Sequence, residues 1–271
     1  VAAPVITFVS RVDLDARANL DAFISMCRTK LTIFGAGLQF DDDTWDVSEA
    51  ANRRALNCKE TISFHAMTKE RGQTPTAPMS EPFKSFAKAY IRYMHGLRPI
   101  KSIFQRLGGL RVLERVMLDS GAIAEPTSLT RDTFNRASQI LAERYGRSAA
   151  YSQGNQLQKL AEFLDAQGLV AVPLRWKNSL RSPRDNARVG PEFDRARSKK
   201  LPSASALNAI AQIYRMADCP QDIIVTGVCA ILSAMPSRIS EVCHLEAVCE
   251  VREDIIGSDA PAFGLRWRPA K

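Results

Sequence analysis

The sequence predicts a mainly α-helical protein. A helical bundle comes first, then a charge-dense connection, then a second region whose helices give way to strands. Three observations predict this. Apolar residues recur at i, i+3, i+4 and i+7 through most of 80–175. Nine cations crowd into 175–200, where aliphatic residues are few. After Ala247 the apolar spacing changes from helical to two.

Residues 1–12 read as extended. From Asp13 to Phe34, Leu20, Phe23, Ile24, Cys27, Leu31 and Phe34 form a helical stripe, with Asp13 as N-cap and Gly35 and Gly37 as terminators. Asp41-Asp42-Asp43 and Trp45 read as a loop, and Thr61–Phe64 has β character. Pro75 and Pro78 mark a linker over 68–80. Residues 1–79 are therefore set apart as an N-terminal extension of unknown role.

The bundle spans 80–175. Phe83, Phe86, Ala87, Tyr90, Ile91 and Met94 give its first helix, with Ser80 as cap and Pro82 in the first turn. Ile100 to Met117 gives the second, interrupted by Gly108-Gly109. Two interior glycines cost about 1 kcal/mol each against alanine, which points to a bend or a close helix approach. Helices near Thr130–Tyr145 and Ser152–Gln167 complete the set, the last stopped by Gly168. Four helices with short connections make a compact bundle.

The basic stretch holds Arg175, Lys177, Arg181, Arg184, Arg188, Arg195, Arg197, Lys199 and Lys200. Opposed by Asp185, Glu192 and Asp194, it carries +6 of the chain's net +8. A basic interdomain linker over 176–200 suits a phosphate backbone; the other reading is a solvated tether. The concentration of charge favours nucleic acid over membrane, because no amphipathic basic helix accompanies it. No apolar run approaches the roughly 18–20 residues that span a bilayer. The six cysteines have no C-x-x-C spacing, and Cys243-His244 with Cys249 does not fit a zinc knuckle. Four of the six lie in apolar helical or strand-like surroundings, which fits reduced, buried thiols of a cytoplasmic protein.

Beyond Pro202, Leu207, Ile210, Ala211, Ile213 and Tyr214 form one apolar face, capped by Ser203 or Ser205. Ile223–Leu232 reads as a buried helix that breaks at Met235-Pro236-Ser237. Arg238 then opens a new helical segment. A helix N-terminus favours anions, and a guanidinium adds a planar fork that matches phosphate oxygens. The alternative is an exposed arginine paired with Glu241 three residues on. Val248, Glu250 and Val251 suggest one strand. Phe263, Leu265 and Trp267 suggest another, running toward Lys271. A pattern that stops partway through a sheet reads as part of a longer protein.

The order of bundle, basic linker, apolar helix, Arg238-Ile-Ser-Glu241-Val-x-x-Leu245 and a strand leading to Lys271 resembles the first two thirds of a tyrosine recombinase, the phage integrase type. The resemblance covers roughly 80–271. It implies a SAM-like core-binding domain over 80–175 and the N-terminal part of an α+β catalytic domain over 201–271, whose strands form a small antiparallel sheet. Arg238 matches the family's first catalytic arginine, Glu241 the acidic residue that supports it, and Lys271 the lysine of the β-hairpin. The implied chemistry is DNA strand cleavage and rejoining through a 3′-phosphotyrosyl intermediate, with no cofactor. The implied partners are double-stranded DNA and, for the full-length protein, three further copies in a tetramer. The implied setting is the cytoplasm of a bacterium or phage host, at the nucleoid.

The sequence departs from the family in two ways. Met235-Pro236-Ser237 stands where a glycine usually precedes the arginine. No His-x-x-Arg box follows, and all five tyrosines (90, 93, 145, 151, 214) precede Arg238, so none is assigned as nucleophile and this stretch is expected to be inactive by itself. Tyr90 and Tyr214 read as core. A non-catalytic helical DNA-binding regulator or architectural protein, with Arg238–Glu241 as a structural pair, remains the alternative. A basic scaffold for an acidic protein is a weaker one.

Overall fold

The computed structural model describes residues 6–48, 60–68, 73, 77–98, 103–182, 190–235, 237–243, 245–253 and 261–266. The chain divides into two compact units, Val1–Arg184 and Asp185–Lys271. It is mainly helical, with two small antiparallel sheets. No helix of the described residues is long and apolar enough to cross a membrane.

In the first unit, helix α1 (Ala16–Lys30) is capped by Asp15, whose side chain accepts from the Ala18 N–H at 2.8 Å. Asp13, the cap expected from sequence, instead pairs with Arg11 at 2.7 Å. Asn19 points inward and pins the chain before the helix, accepting from the Arg11 N–H at 2.9 Å and donating to the Arg11 carbonyl at 3.1 Å. That brings Phe8 edge-on to Phe23, with ring centroids 5.2 Å apart.

Two short strands follow, β1 (Thr44–Asp46) and β2 (Thr61–Ser63), paired antiparallel with Trp45 opposite Ile62. The β character at Thr61 is borne out. The loop expected around Trp45 is in part a strand, because the indole is buried between Phe34, Phe40 and Phe64.

Helices α2 (Phe83–Leu97), α3 (Ile103–Asp119), α4 (Arg131–Arg144) and α5 (Arg147–Ala166) form the bundle. Thr130, where the sequence places the start of α4, caps it by accepting from the Thr133 N–H at 3.3 Å. Ser80 does not cap α2; its N–H and hydroxyl both turn to Glu114 of α3. α3 packs on α4 and α5, and its two glycines mark a close approach rather than a bend. A Cβ on Gly109 would stand 3.0 Å from Leu157 Cδ2.

One core runs through all of this. Leu20, Phe23, Trp45 and Phe64 belong to the same buried cluster as Phe86, Leu110, Phe134 and Leu160. The first 79 residues, set apart in the sequence reading, belong to the bundle's unit, and α1, β1 and β2 contribute to its core. Their apolar stripe has no core of its own and closes over α2.

The second unit contains α6 (Pro191–Ser198), α7 (Ala204–Met216), α8 (Pro220–Ala234) and α9 (Ile239–Val242). It ends with β3 (Glu250–Glu253) paired antiparallel to β4 (Ala262–Leu265). Ser203 caps α7, accepting from the Ala206 N–H at 3.2 Å. α7 packs on α8 where Tyr214 lies against Gly227.

Two expectations fail here. The apolar helix α8 is not buried: Ile223, Ile224 and Val225 are 41%, 65% and 62% exposed. Tyr214 is likewise half-exposed rather than core. Among the described residues α8 packs chiefly on α7 and the single turn α9, which cannot cover an apolar helix on all sides. The cysteines follow suit. Cys27 is buried, but Cys229 and Cys243 are exposed and Cys219 and Cys249 half-buried; these five are free thiols, and Cys58 lies outside the described residues.

Candidate functional site

Met235 ends α8 in extended backbone, and Arg238 (φ −86°, ψ 146°) is the N-cap of α9. An arginine has no side-chain acceptor with which to cap a helix. Glu241 replaces that function from the third helical position. Its Oε2 accepts from the Arg238 backbone N–H at 2.9 Å, and its Oε1 accepts from Arg238 Nη1 at 3.2 Å. The Glu241 side chain is 12% exposed and that of Arg238 75%. The carboxylate is thus held within the turn while the guanidinium stands out from it, its other N–H groups without a partner among the described residues. Beneath them, Ile231, Met235, Val242 and Leu245 seat the turn on α8.

The turn is only four residues long, so the macrodipole expected at this helix start is small. Any anion would be held by the guanidinium itself. The pair seen is the i, i+3 ion pair of the alternative reading, and it also orients the arginine outward.

The basic stretch is divided between the units. Arg175, Lys177 and Arg181 are exposed on the first; Arg195, Arg197, Lys199 and Lys200 are exposed on and just after α6. Arg197 lies 3.7 Å from Asp194. Arg184, Arg188, His244 and Lys271 lie outside the described residues. Of the proposed catalytic residues, the structure therefore brings together Arg238 and Glu241.

The first part of the expected linker is not a free tether. Leu174 and Trp176 are 2% and 3% exposed. Asp165 accepts from the Leu174 and Arg175 N–H groups at 2.7 and 2.8 Å. Sequence reading missed Asp165, which looks there like an ordinary acid at the end of a helix. Its only signal was its place one turn before the stop at Gly168.

Tyr90 is core, as expected. Its hydroxyl has no hydrogen-bond partner, and burial pushes its pKa far up, so it is poorly suited to act as a nucleophile. Asp218, Cys219 and Asp222 converge where Cys219 caps α8, a small open set of donors at a helix start.

No protein-family model, curated protein or solved structure matches the chain.

Proposed function

We propose that this chain is the DNA-binding and first catalytic part of a tyrosine recombinase of the phage integrase type. The observation that carries the reading is Arg238. It stands exposed at a fixed turn, its backbone and one guanidinium nitrogen held by Glu241, just after an apolar helix and downstream of a segment with a large positive charge. On this reading α2–α5 are the SAM-like core-binding bundle and the second unit begins the catalytic domain.

In such an enzyme a tyrosine hydroxyl attacks a DNA phosphodiester. The bond from phosphorus to the 5′-oxygen breaks, leaving a 3′-phosphotyrosyl link and a 5′-hydroxyl. Negative charge builds on the nonbridging oxygens, and a guanidinium fixed in place stabilises it. Arg238 has that role, Glu241 positions it, and Lys271 delivers the proton to the leaving 5′-oxygen. The nucleophile and the His-x-x-Arg box belong to the longer protein, which works as a tetramer on paired sites in the cytoplasm, at the nucleoid. The basic stretch grips duplex DNA, and no cofactor is needed because the covalent intermediate keeps the bond energy.

The test is a suicide-substrate assay on the longer protein. The wild type traps a covalent protein–DNA adduct, and Arg238→Ala abolishes it while leaving duplex binding. Cleavage at the wild-type rate by Arg238→Ala removes Arg238 from the site. One observation favours the second reading, a non-catalytic helical DNA-binding regulator: the Arg238–Glu241 ion pair is already closed. Duplex binding with no adduct from the longer protein selects it.

A further inference from the structure

The residues that follow the bundle alternate in exposure. Leu174, Trp176, Asn178 and Leu180 turn inward; Arg175, Lys177, Ser179 and Arg181 turn out. Each inward residue is fastened. The Trp176 ring packs on Phe134 with centroids 5.4 Å apart, and its Nε1–H donates to Asn135 Oδ1 at 2.9 Å. Asn178 donates from its backbone to Gln158 Oε1 at 3.0 Å and from its side chain to Asn155 Oδ1 at 2.9 Å. Gly154 makes room for it, since a Cβ there would stand 2.5 Å from Asn178 Oδ1.

The segment from 174 to 182 contains three cations and no acid. The nearest acid in the fastening is Asp165, and both its oxygens are taken up by backbone N–H groups. It anchors the chain where an ion pair would have neutralised it. Arg175 is also the one non-glycine residue at positive φ among the described residues, at 44°. An arginine in a conformation that favours glycine needs outside support, and Asp165 supplies it by holding the two successive peptide N–H groups that lead into Arg175.

We propose that residues 174–181 are a strap locked to the bundle, presenting Arg175, Lys177 and Arg181 as a preset array to the phosphate backbone of duplex DNA, with Asp165 as its positioning residue. The strap rests on the DNA reading above and gives that reading a defined surface. Cations already ordered lose less conformational freedom on binding than cations on a loose tether.

The test uses the full chain, a fluorescein-labelled random-sequence duplex and a salt titration. Asp165→Asn removes one negative charge and so raises the net charge by one, so undirected electrostatics calls for tighter binding. The strap calls for the opposite: binding weaker by about three- to ten-fold, with a salt slope shallower by about one. Gly154→Ala, which leaves the charge unchanged, shifts binding the same way and carries the test if Asp165→Asn does not fold. Asp165→Asn and Arg175→Ala lose less together than the sum of the two, because the loss from Asp165→Asn already includes the Arg175 contact. Unchanged or tighter binding by Asp165→Asn and Gly154→Ala, or full additivity with Arg175→Ala, overturns the strap and leaves the DNA reading standing. No salt-dependent duplex binding by the wild type overturns the DNA reading itself.

Discussion

Gly109 of α3 faces Leu157 of α5 so closely that a Cβ on the glycine would stand 3.0 Å from Leu157 Cδ2. Its neighbour Gly108 meets only the far end of Gln153, a side chain free to swing aside. The two glycines therefore separate by substitution. Gly109→Ala gains about 1 kcal/mol of helix propensity and loses more to overpacking, for a net loss of about 1 kcal/mol. Gly108→Ala is neutral or gains up to about 1 kcal/mol. Denaturant midpoints of the two variants give the answer; equal effects would mean that the helix contact is not tight at Gly109.

Phe23 is fully buried among Phe8, Tyr93 and Phe163, its centroid 5.2, 5.3 and 5.2 Å from theirs. Phe23→Ala should cost about 3–5 kcal/mol, the range for a core aromatic. The unfolding transition of the first unit should fall accordingly. An unmoved transition would detach α1 from the bundle's core.

Glu114 is buried in α3. Its Oε1 accepts the Ser80 N–H at 2.5 Å and the Ser80 hydroxyl at 3.0 Å, while Oε2 has no partner. Burial raises its pKa, against the pull of the Ser80 hydrogen bonds and of Arg111. The folded state therefore holds this proton more tightly than the unfolded chain does. The resulting stabilisation is full below the ordinary glutamate pKa and is lost as pH rises through the raised one. Glu114→Gln keeps an acceptor for Ser80 and has no charge to bury. Its melting temperature relative to wild type should rise between acid and neutral pH. A pH-independent difference would show that Glu114 carries no such penalty.

Glu241 and Arg238 are bonded to each other but do different things. Arg238→Ala keeps the backbone N–H that Glu241 accepts, so the α9 turn stays closed, with stability within about 0.5 kcal/mol of wild type. Glu241→Ala removes that acceptor and frays the turn, at a cost near 1 kcal/mol. Amide exchange across 238–243 reports the difference. Equal protection in the two variants would leave Glu241 no positioning role.

The bundle was legible because its helices carry their apolar stripes in register, and turn residues such as Thr130 and Gly168 punctuate them. The unity of the first 184 residues was not. Nothing local says that Phe23 will meet Phe163, a contact between residues far apart in the chain. For the site, the Arg238–Glu241 spacing was readable as an i, i+3 pair. Its asymmetry was not, since exposure of 75% against 12% is decided by how the turn sits on α8. The apolar run in α8 misled for the converse reason. Hydrophobicity states what a helix would gain by burial, whereas the neighbouring layers decide whether burial occurs.

From the sequence alone come the helical class, the break at Met235–Ser237, the concentration of charge in 175–200 and the arginine that follows α8. These depend on periodicity and composition, which are local properties. Only the tertiary structure decided that the basic stretch begins as a fastened strap. It also decided that Asp165 binds backbone rather than arginine side chains, and that α1 completes the bundle's core. Those outcomes depend on which distant groups meet, and the pairing of buried hydrogen-bonding groups is settled across the whole fold rather than along the chain.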